Sequence, residues 1–215
     1  MAGRPMRADG RRNRERLLAA AREAFAESGR DVGVAEIARR AGVGSATLFR
    51  HFATKDDLLA AILDEMLEQI ETTMTTALAM DDPWEAVVYV MTVVAEHQSR
   101  DQLFLNSAGP ELFAEERFEA ATLRTFAQIT EILERAQAAG VVRADLMPTD
   151  IPFVLASVGG ATNKCSGALA VSADPNLWRR YLGLVLDGLR PEGARPLAPA
   201  APSMQQLTDS KKLGG

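Results

Sequence analysis

An all-α protein is predicted on three observations. Ala, Leu and Val dominate while aromatics make up only 6% of the 215 residues, which favours helix packing over a β-sandwich. Apolar residues recur at three- and four-residue spacing along most of the chain, and those runs open at helix caps and close at glycines. With 47% hydrophobic and 25% charged residues the composition is that of an ordinary globular chain. The expectation is one subunit of two lobes with about nine helices.

The first helix is expected from about Asp9 to Ser28, where Leu17, Leu18, Ala21, Ala24 and Phe25 share a face and Gly29 stops it. A short second helix, about Val34 to Ala41, places Ile37, Ala38 and Ala41 on one side and ends at Gly42, where a left-handed residue would turn the chain. A third, Ser45 to Phe52, buries Leu48 and Phe52. Thr54 and Asp57 then form a capping box for a long fourth helix with Leu58, Ile62, Met66, Ile70 and Met74 at strict four-residue spacing.

Asp82-Pro83-Trp84-Glu85 opens a fifth helix reaching about Gln98, with proline at its first position. An irregular stretch from Ser99 to Pro110 is expected next, with room for a short helix at Gln102 to Ser107. A helix from about Glu111 to Ala139 follows, striped by Leu123, Phe126, Ile129 and Leu133 and stopped by Gly140. The last two run from about Asp150 to Val171 and from about Pro175, capped by Asp174, to Leu189. Residues 191–215, with Pro191, Pro196, Pro199 and Pro202, read as a disordered tail.

The formal net charge of −5 hides an uneven distribution. Residues 1–60 hold 12 Lys and Arg against 8 Asp and Glu, giving +4, while the remainder holds 12 against 21, giving −9. Arg4, Arg7, Arg11, Arg12, Arg14 and Arg16 form a basic arm that suits phosphate contacts, the alternative being a solvated terminus. The stretch Ile151 to Asn163, the longest uncharged apolar one, is broken by Pro152, Gly159 and Gly160 and is shorter than the roughly 20 residues of a membrane span. The arginine-rich start lacks an apolar core, so no secretory peptide and no membrane association are expected, and the protein is placed in the cytoplasm. A single cysteine, Cys165, fits a reducing compartment and a buried apolar role.

Two short helices joined by a glycine turn behind a longer one are the sequence form of a helix-turn-helix. Ile37, Ala38, Val43, Leu48 and Phe52 would hold the pair together, leaving Ser45, Ala46, Phe49 and Arg50 outward on a helix that fits the DNA major groove.

The run from Ile37-Ala38-Arg39-Arg40-Ala41-Gly42 through Thr47-Leu48-Phe49-Arg50-His51-Phe52 to Lys55-Asp56-Asp57-Leu58-Leu59 resembles the DNA-binding head of the TetR family of transcriptional regulators. The resemblance covers about Arg14 to Ile62. Trp178-Arg179-Arg180-Tyr181 and Asp187-Gly188-Leu189-Arg190-Pro191 are similar to SbtR-type members. The resemblance implies a helix-turn-helix head over residues 1–54 and a helical ligand-binding and dimerisation bundle over 55–190. It also implies that Thr47, His51 and Lys55 touch phosphates and that Val43, Gly44, Ser45, Ala46 and Arg50 lie near base edges. Arg50 suits a guanine edge, with a phosphate contact as the alternative. Phe49 replaces the usual tyrosine and has no hydroxyl to donate; Gly33 replaces the usual Ser or Thr cap.

A reader of a palindromic operator works as a homodimer. Leu177, Tyr181, Leu184, Val185 and Gly188 are the expected interface, with a place in the subunit's own core as the alternative. Met91, Val94, His97, Phe104, Phe113, Phe126, Ile129 and Asn163 are the candidate lining of a pocket for a small, mostly apolar effector, and plain core is their alternative. No cofactor or metal is expected, since His97 lacks partners at ligand spacing.

Two rival classes fit the sequence less well. An all-α enzyme would use Asp81, Asp82 and Glu85 as an acidic cluster, but a helix cap accounts for them, and neither paired Glu-x-x-His motifs nor a nucleophile arrangement appears. A helical protein-interaction adaptor would explain the acidic body but not His51 and Lys55.

Overall fold

The computed structural model describes residues 4–107, 116–160 and 176–210. Regular structure among them is helical: α1 (Arg4–Ser28), α2 (Val34–Arg40), α3 (Ser45–His51), α4 (Lys55–Leu78), α5 (Pro83–Ser107), α6 (Glu116–Ala138), α7 (Ile151–Gly160), α8 (Leu177–Leu189) and α9 (Met204–Ser210), with single 3₁₀ turns at Gly29–Asp31 and Pro148–Asp150. The chain divides into two compact units. One comprises Met1–Glu68 with Asp101–Leu112, the other Gln69–Arg100 with Phe113–Gly215. The division falls inside α4 and again inside α5.

In the first unit, α1 packs on α2 and α2 on α3. Leu17, Leu18, Ala21, Ala24 and Phe25 of α1, Ile37 and Ala38 of α2, Leu48 of α3, and Leu58, Leu59 and Ile62 of α4 are all buried, as the spacing implied. The turn between α2 and α3 is a Schellman motif. Val43 N donates to the Ala38 carbonyl (3.0 Å) and Gly42 N to the Arg39 carbonyl (3.1 Å), and Gly42 takes φ +66, a region where a side chain meets the following carbonyl.

Charged pairs hold α1 against α4. Glu65 accepts from Arg14 at 3.2 Å and from Arg22 at 3.1 Å. The expected capping box opens α4, with Asp57 N donating to Thr54 Oγ1 (3.0 Å) and Thr54 N to Asp57 Oδ2 (2.9 Å).

The second unit has its own core, in which Met74, Val87, Met91, Ile132, Leu133, Ile151, Leu155, Trp178 and Leu182 are buried together. Asp82 Oδ1 caps α5 by accepting from Trp84 N (2.8 Å) and Glu85 N (3.1 Å). The last carbonyl of α4 and one just beyond it find a cation: Arg135 donates to Leu78 O at 2.8 Å and to Met80 O at 2.6 Å, satisfying groups that a helix C-terminus leaves unpaired. Gly140 ends α6 at φ +68.

Four expectations are corrected. Helix α1 starts at Arg4, not Asp9, because Pro5 sits in the first turn, where no amide is needed; the basic residues from Arg4 on are therefore helical. Helix α5 runs unbroken to Ser107, since no proline or glycine interrupts Trp84 to Ser107. The last long helix begins at Leu177 behind Asn176, which makes no side-chain cap; Asp174 and Pro175 lie outside the described residues, as do 161–171 of the preceding helix and 111–115 of the one before it.

The segment after Pro191, expected as a disordered tail, is structured as far as Ser210. Asp145 Oδ2 accepts from Leu197 N (2.9 Å), Arg143 donates to the Arg195 carbonyl, and Arg143 and Asp145 pair at 2.6 Å. These contacts hold Asp145 well below the usual carboxylate range, with the Arg143 hydrogen bond as the largest cause. Ser203 and Gln206 then cap α9 reciprocally, at 2.8 and 3.2 Å. Side-chain partners from the body thus supply what the proline-rich backbone lacks. Residues 211–215 lie outside the described set.

Gly42→Ala is expected to cost about 1–2 kcal/mol, since an added Cβ would meet only the Arg16 guanidinium at an ordinary 4.0 Å, which leaves the left-handed backbone as the penalty. Chemical denaturation followed by circular dichroism checks this; an unchanged midpoint would contradict it.

Candidate nucleic-acid interface

Helix α3 has one inward anchor. Leu48 is wholly buried and Phe52, just past the C-terminus, is buried as well. The anchor turns the rest of the helix outward: Gly44, Ser45, Ala46, Phe49 and Arg50 are exposed, Val43, Thr47 and His51 half-buried. Phe49 is 53% exposed, an apolar ring left half open to water. Seven residues make a helix about 10 Å long, a size the DNA major groove admits.

Among the residues singled out from sequence, α3 and the turn before it bring Val43, Gly44, Ser45, Ala46, Thr47, Phe49, Arg50 and His51 onto one element. Arg50 Nη2 donates to Thr47 Oγ1 at 3.1 Å, so the guanidinium lies back along its own helix with further donors to offer. The His51 ring tilts against Phe52.

Two cations take on internal work instead. Lys55 donates to the carbonyls of Arg30 and, at 3.3 Å, of Val32, tying the turn after α1 to the start of α4, where Arg30 also meets Asp56 at 3.0 Å. Arg14 pairs with Glu65 and lies 5.7 Å above the Phe52 ring.

A network that sequence reasoning missed surrounds α2. Glu36 accepts from Arg39 at 2.7 and 2.8 Å and from Arg40 at 2.8 Å, and Arg40 reaches Glu27 at 2.7 Å. The Arg39 hydrogen bond, then that of Arg40, lowers Glu36 from 4.5 to about 2. The spacing of Glu36 to Arg39 and Arg40, three and four residues apart, was the available signal.

In the second unit the candidate pocket residues divide. Met91 and Ile129 border a gap of only about 10 Å³, shared with Val87, Val90, Ile132, Leu133 and Ile151. Val94 packs against the same core and His97 is half-buried. Phe126 instead lines a separate groove with Leu123, Thr130, Met147 and Met204. The side chain of Phe104, and Phe113, Asn163 and Cys165 entirely, lie outside the described residues. No cluster of His, Cys, Asp or Glu fit for a metal occurs among the described residues, and none of their helices is long and apolar enough to cross a membrane.

An outward helix on a buried anchor, set by a glycine turn behind a bracing helix, defines a helix-turn-helix DNA-binding protein. Comparison with known proteins specifies it further. Residues 17–62 match the family described as bacterial regulatory proteins, tetR family, and residues 82–191 match the transcriptional regulator SbtR-like C-terminal domain. The uncharacterized HTH-type transcriptional regulator TtgW of Pseudomonas putida is 34% identical over 98 residues, 45% of this chain and 72% of that protein.

Among solved structures, a TetR transcription regulatory protein from Mycobacterium vanbaalenii is 34% identical with a TM-score of 0.59, covering 86% of this chain and 99% of its own. The TetR regulator SCO0520 from Streptomyces coelicolor is 28% identical with a TM-score of 0.62, covering 84% and 99%. The chain belongs to the TetR family of transcriptional regulators, which are DNA-binding proteins and not enzymes.

Because Glu36 has a lowered folded pKa, the stability it contributes is complete above about 4.5 and is lost as pH falls through about 2. The gap in melting temperature between the native protein and Glu36→Gln should therefore narrow between pH 5 and 2. A gap that widened on acidification would contradict the network.

Proposed function

We propose that the protein is a repressor that binds a palindromic operator as a homodimer and leaves it when a small, mostly apolar molecule binds the body. The observation that carries the reading is the exposure of Ser45, Ala46, Phe49 and Arg50 on a helix whose one anchor, Leu48, is fully buried. Arg50 is assigned to a guanine edge, Ala46 and Phe49 to apolar contacts such as a thymine methyl, and Thr47 and His51 to phosphates, with Lys55 and Arg14 contributing through the donors their internal bonds leave over.

Dimerisation is assigned to α8 and α7. Tyr181 and Leu184 are 38% and 65% exposed on α8, and Phe153 is 56% exposed on α7, which packs against α8; Leu177 and Gly188 complete the face. Val185, by contrast, packs inward against the core. Large apolar side chains left in water at this density mark an interaction surface.

The effector is assigned to the interior of the second unit around Met91, Val94, His97 and Ile129, with Phe104, Phe113 and Asn163 kept as candidates from the sequence alone. Among the described residues, Met91 and Ile129 border a gap of about 10 Å³, which a ligand seated on those two side chains would have to widen. A coupling of about 1–3 kcal/mol is enough to switch an operon, with α4, which has residues in both units, as the element that carries it.

Mobility shift with DNA flanking the protein's own gene tests the reading. Arg50→Ala should lose discrimination between the operator and unrelated DNA, and native binding should weaken on the order of 10³-fold from 50 to 200 mM salt. Salt-insensitive binding, or discrimination surviving in Arg50→Ala, would contradict it. Leu184→Asp should convert the dimer to monomer in sedimentation and abolish the shift; a dimer persisting in that variant would remove α8 from the interface.

A further inference from the structure

Helix α5 turns one stripe inward. Val87, Met91 and Ala95 are buried at four-residue spacing, and Val94 packs against the same core. Gln98 falls on that stripe, one turn beyond Val94 and two beyond Met91, so the helix aims an amide where its earlier turns aim hydrocarbon. The Gln98 Oε1 atom is shut off from water and accepts no hydrogen bond. The next side chain along the helix does not serve it, because Ser99 donates to the Glu96 carbonyl at 2.9 Å.

A buried acceptor left without a donor costs stability, and such groups are uncommon in native folds. The gap at Met91, about 10 Å³ and lined by apolar side chains throughout, gives a bridging water no foothold, since a buried water needs several polar partners. An orphaned acceptor at the end of an apolar stripe instead suits a ligand that brings its own donor. Chemistry narrows that donor. An ammonium group would meet no carboxylate among Met91, Val94, His97 and Ile129, and desolvating it costs more than one hydrogen bond returns. A primary amine or an amide would carry in a second donor or a carbonyl with nothing to meet it, whereas a hydroxyl spends its one proton on the amide oxygen.

We propose that Gln98 sets the specificity of the effector site: its Oε1 accepts a hydrogen bond from the hydroxyl of an otherwise apolar molecule, whose hydrocarbon lies toward Val94 and Met91. The proposal rests on the assignment of the effector to the interior of the second unit, and it adds the group by which the effector is told from a plain hydrocarbon. A hydrocarbon of the same shape leaves the acceptor unpaired, and a site that hydrogen-bonds a hydroxyl rejects the analogue lacking it.

Thermal melting of the full chain without DNA, titrated with 4-alkylphenols from ethyl to pentyl and with the matching 4-alkyltoluenes, tests the assignment. The toluenes put a methyl group of similar size where the hydroxyl was, and partition out of water alone would make them the tighter ligands. A saturable rise in melting temperature with a phenol is expected, its toluene binding roughly tenfold more weakly. Gln98→Met, which keeps the length of the side chain and removes the orphaned acceptor, should melt no lower than the native protein and should lose the preference for the phenol. Toluenes binding as tightly as phenols, or a preference that survives in Gln98→Met, would overturn the role of Gln98 and leave the apolar interior standing. Failure of both series to bind would overturn the two together, and neither result bears on operator binding.

Discussion

The outward face of α3 depends on a constraint a few residues long: a left-handed glycine and one buried leucine. Gly42 reverses the chain within two residues while the Ala38 and Arg39 carbonyls in the last turn of α2 remain hydrogen-bonded, and Leu48 then fixes the rotation of the following helix about its axis. With that rotation set, Ser45, Ala46, Phe49 and Arg50 can only point away from the core, because residues three and four apart share a helix face. Glu65, between Arg14 and Arg22, keeps the bracing helix in register with α4.

The charge of the head is largely committed before any nucleic acid arrives. Arg39 and Arg40 are neutralised by Glu36 and Glu27, Arg14 and Arg22 by Glu65, and Lys55 is bound to backbone carbonyls. A count of basic residues therefore overstates the field available to phosphates, and the proposed function correspondingly puts more of the recognition on Arg50, the arginine of α3 itself. The commitments also rigidify the head, so less ordering entropy is lost on binding.

Much of the fold was legible from sequence because the short-range rules that set it are local. Thr54 with Asp57, Asp82 with Pro83, Gly42 and Gly140 all act within four residues of where they stand, and each acts as its position implied. What sequence missed depends on partners far along the chain. The tail read as disordered from its prolines, yet its order comes from Arg143 and Asp145, some fifty residues upstream. The bonds of Lys55 to the carbonyls of Arg30 and Val32, more than twenty residues upstream, likewise lie beyond the reach of a local motif. Phe126 shared the apolar stripe of α6 with Ile129, and periodicity alone could not tell that one faces a groove and the other the core. The Ser203 and Gln206 cap of α9 was a local signal that composition obscured.

The claim that α3 is the surface that meets DNA is tested most directly by placing a photoreactive side chain at Ala46 and, separately, at Leu123, and irradiating each protein with operator DNA. Crosslinking from position 46 and not from 123 is the result this structure predicts. Crosslinking from 123, or none from 46 in a protein that still shifts the DNA, would show that another surface makes the contact.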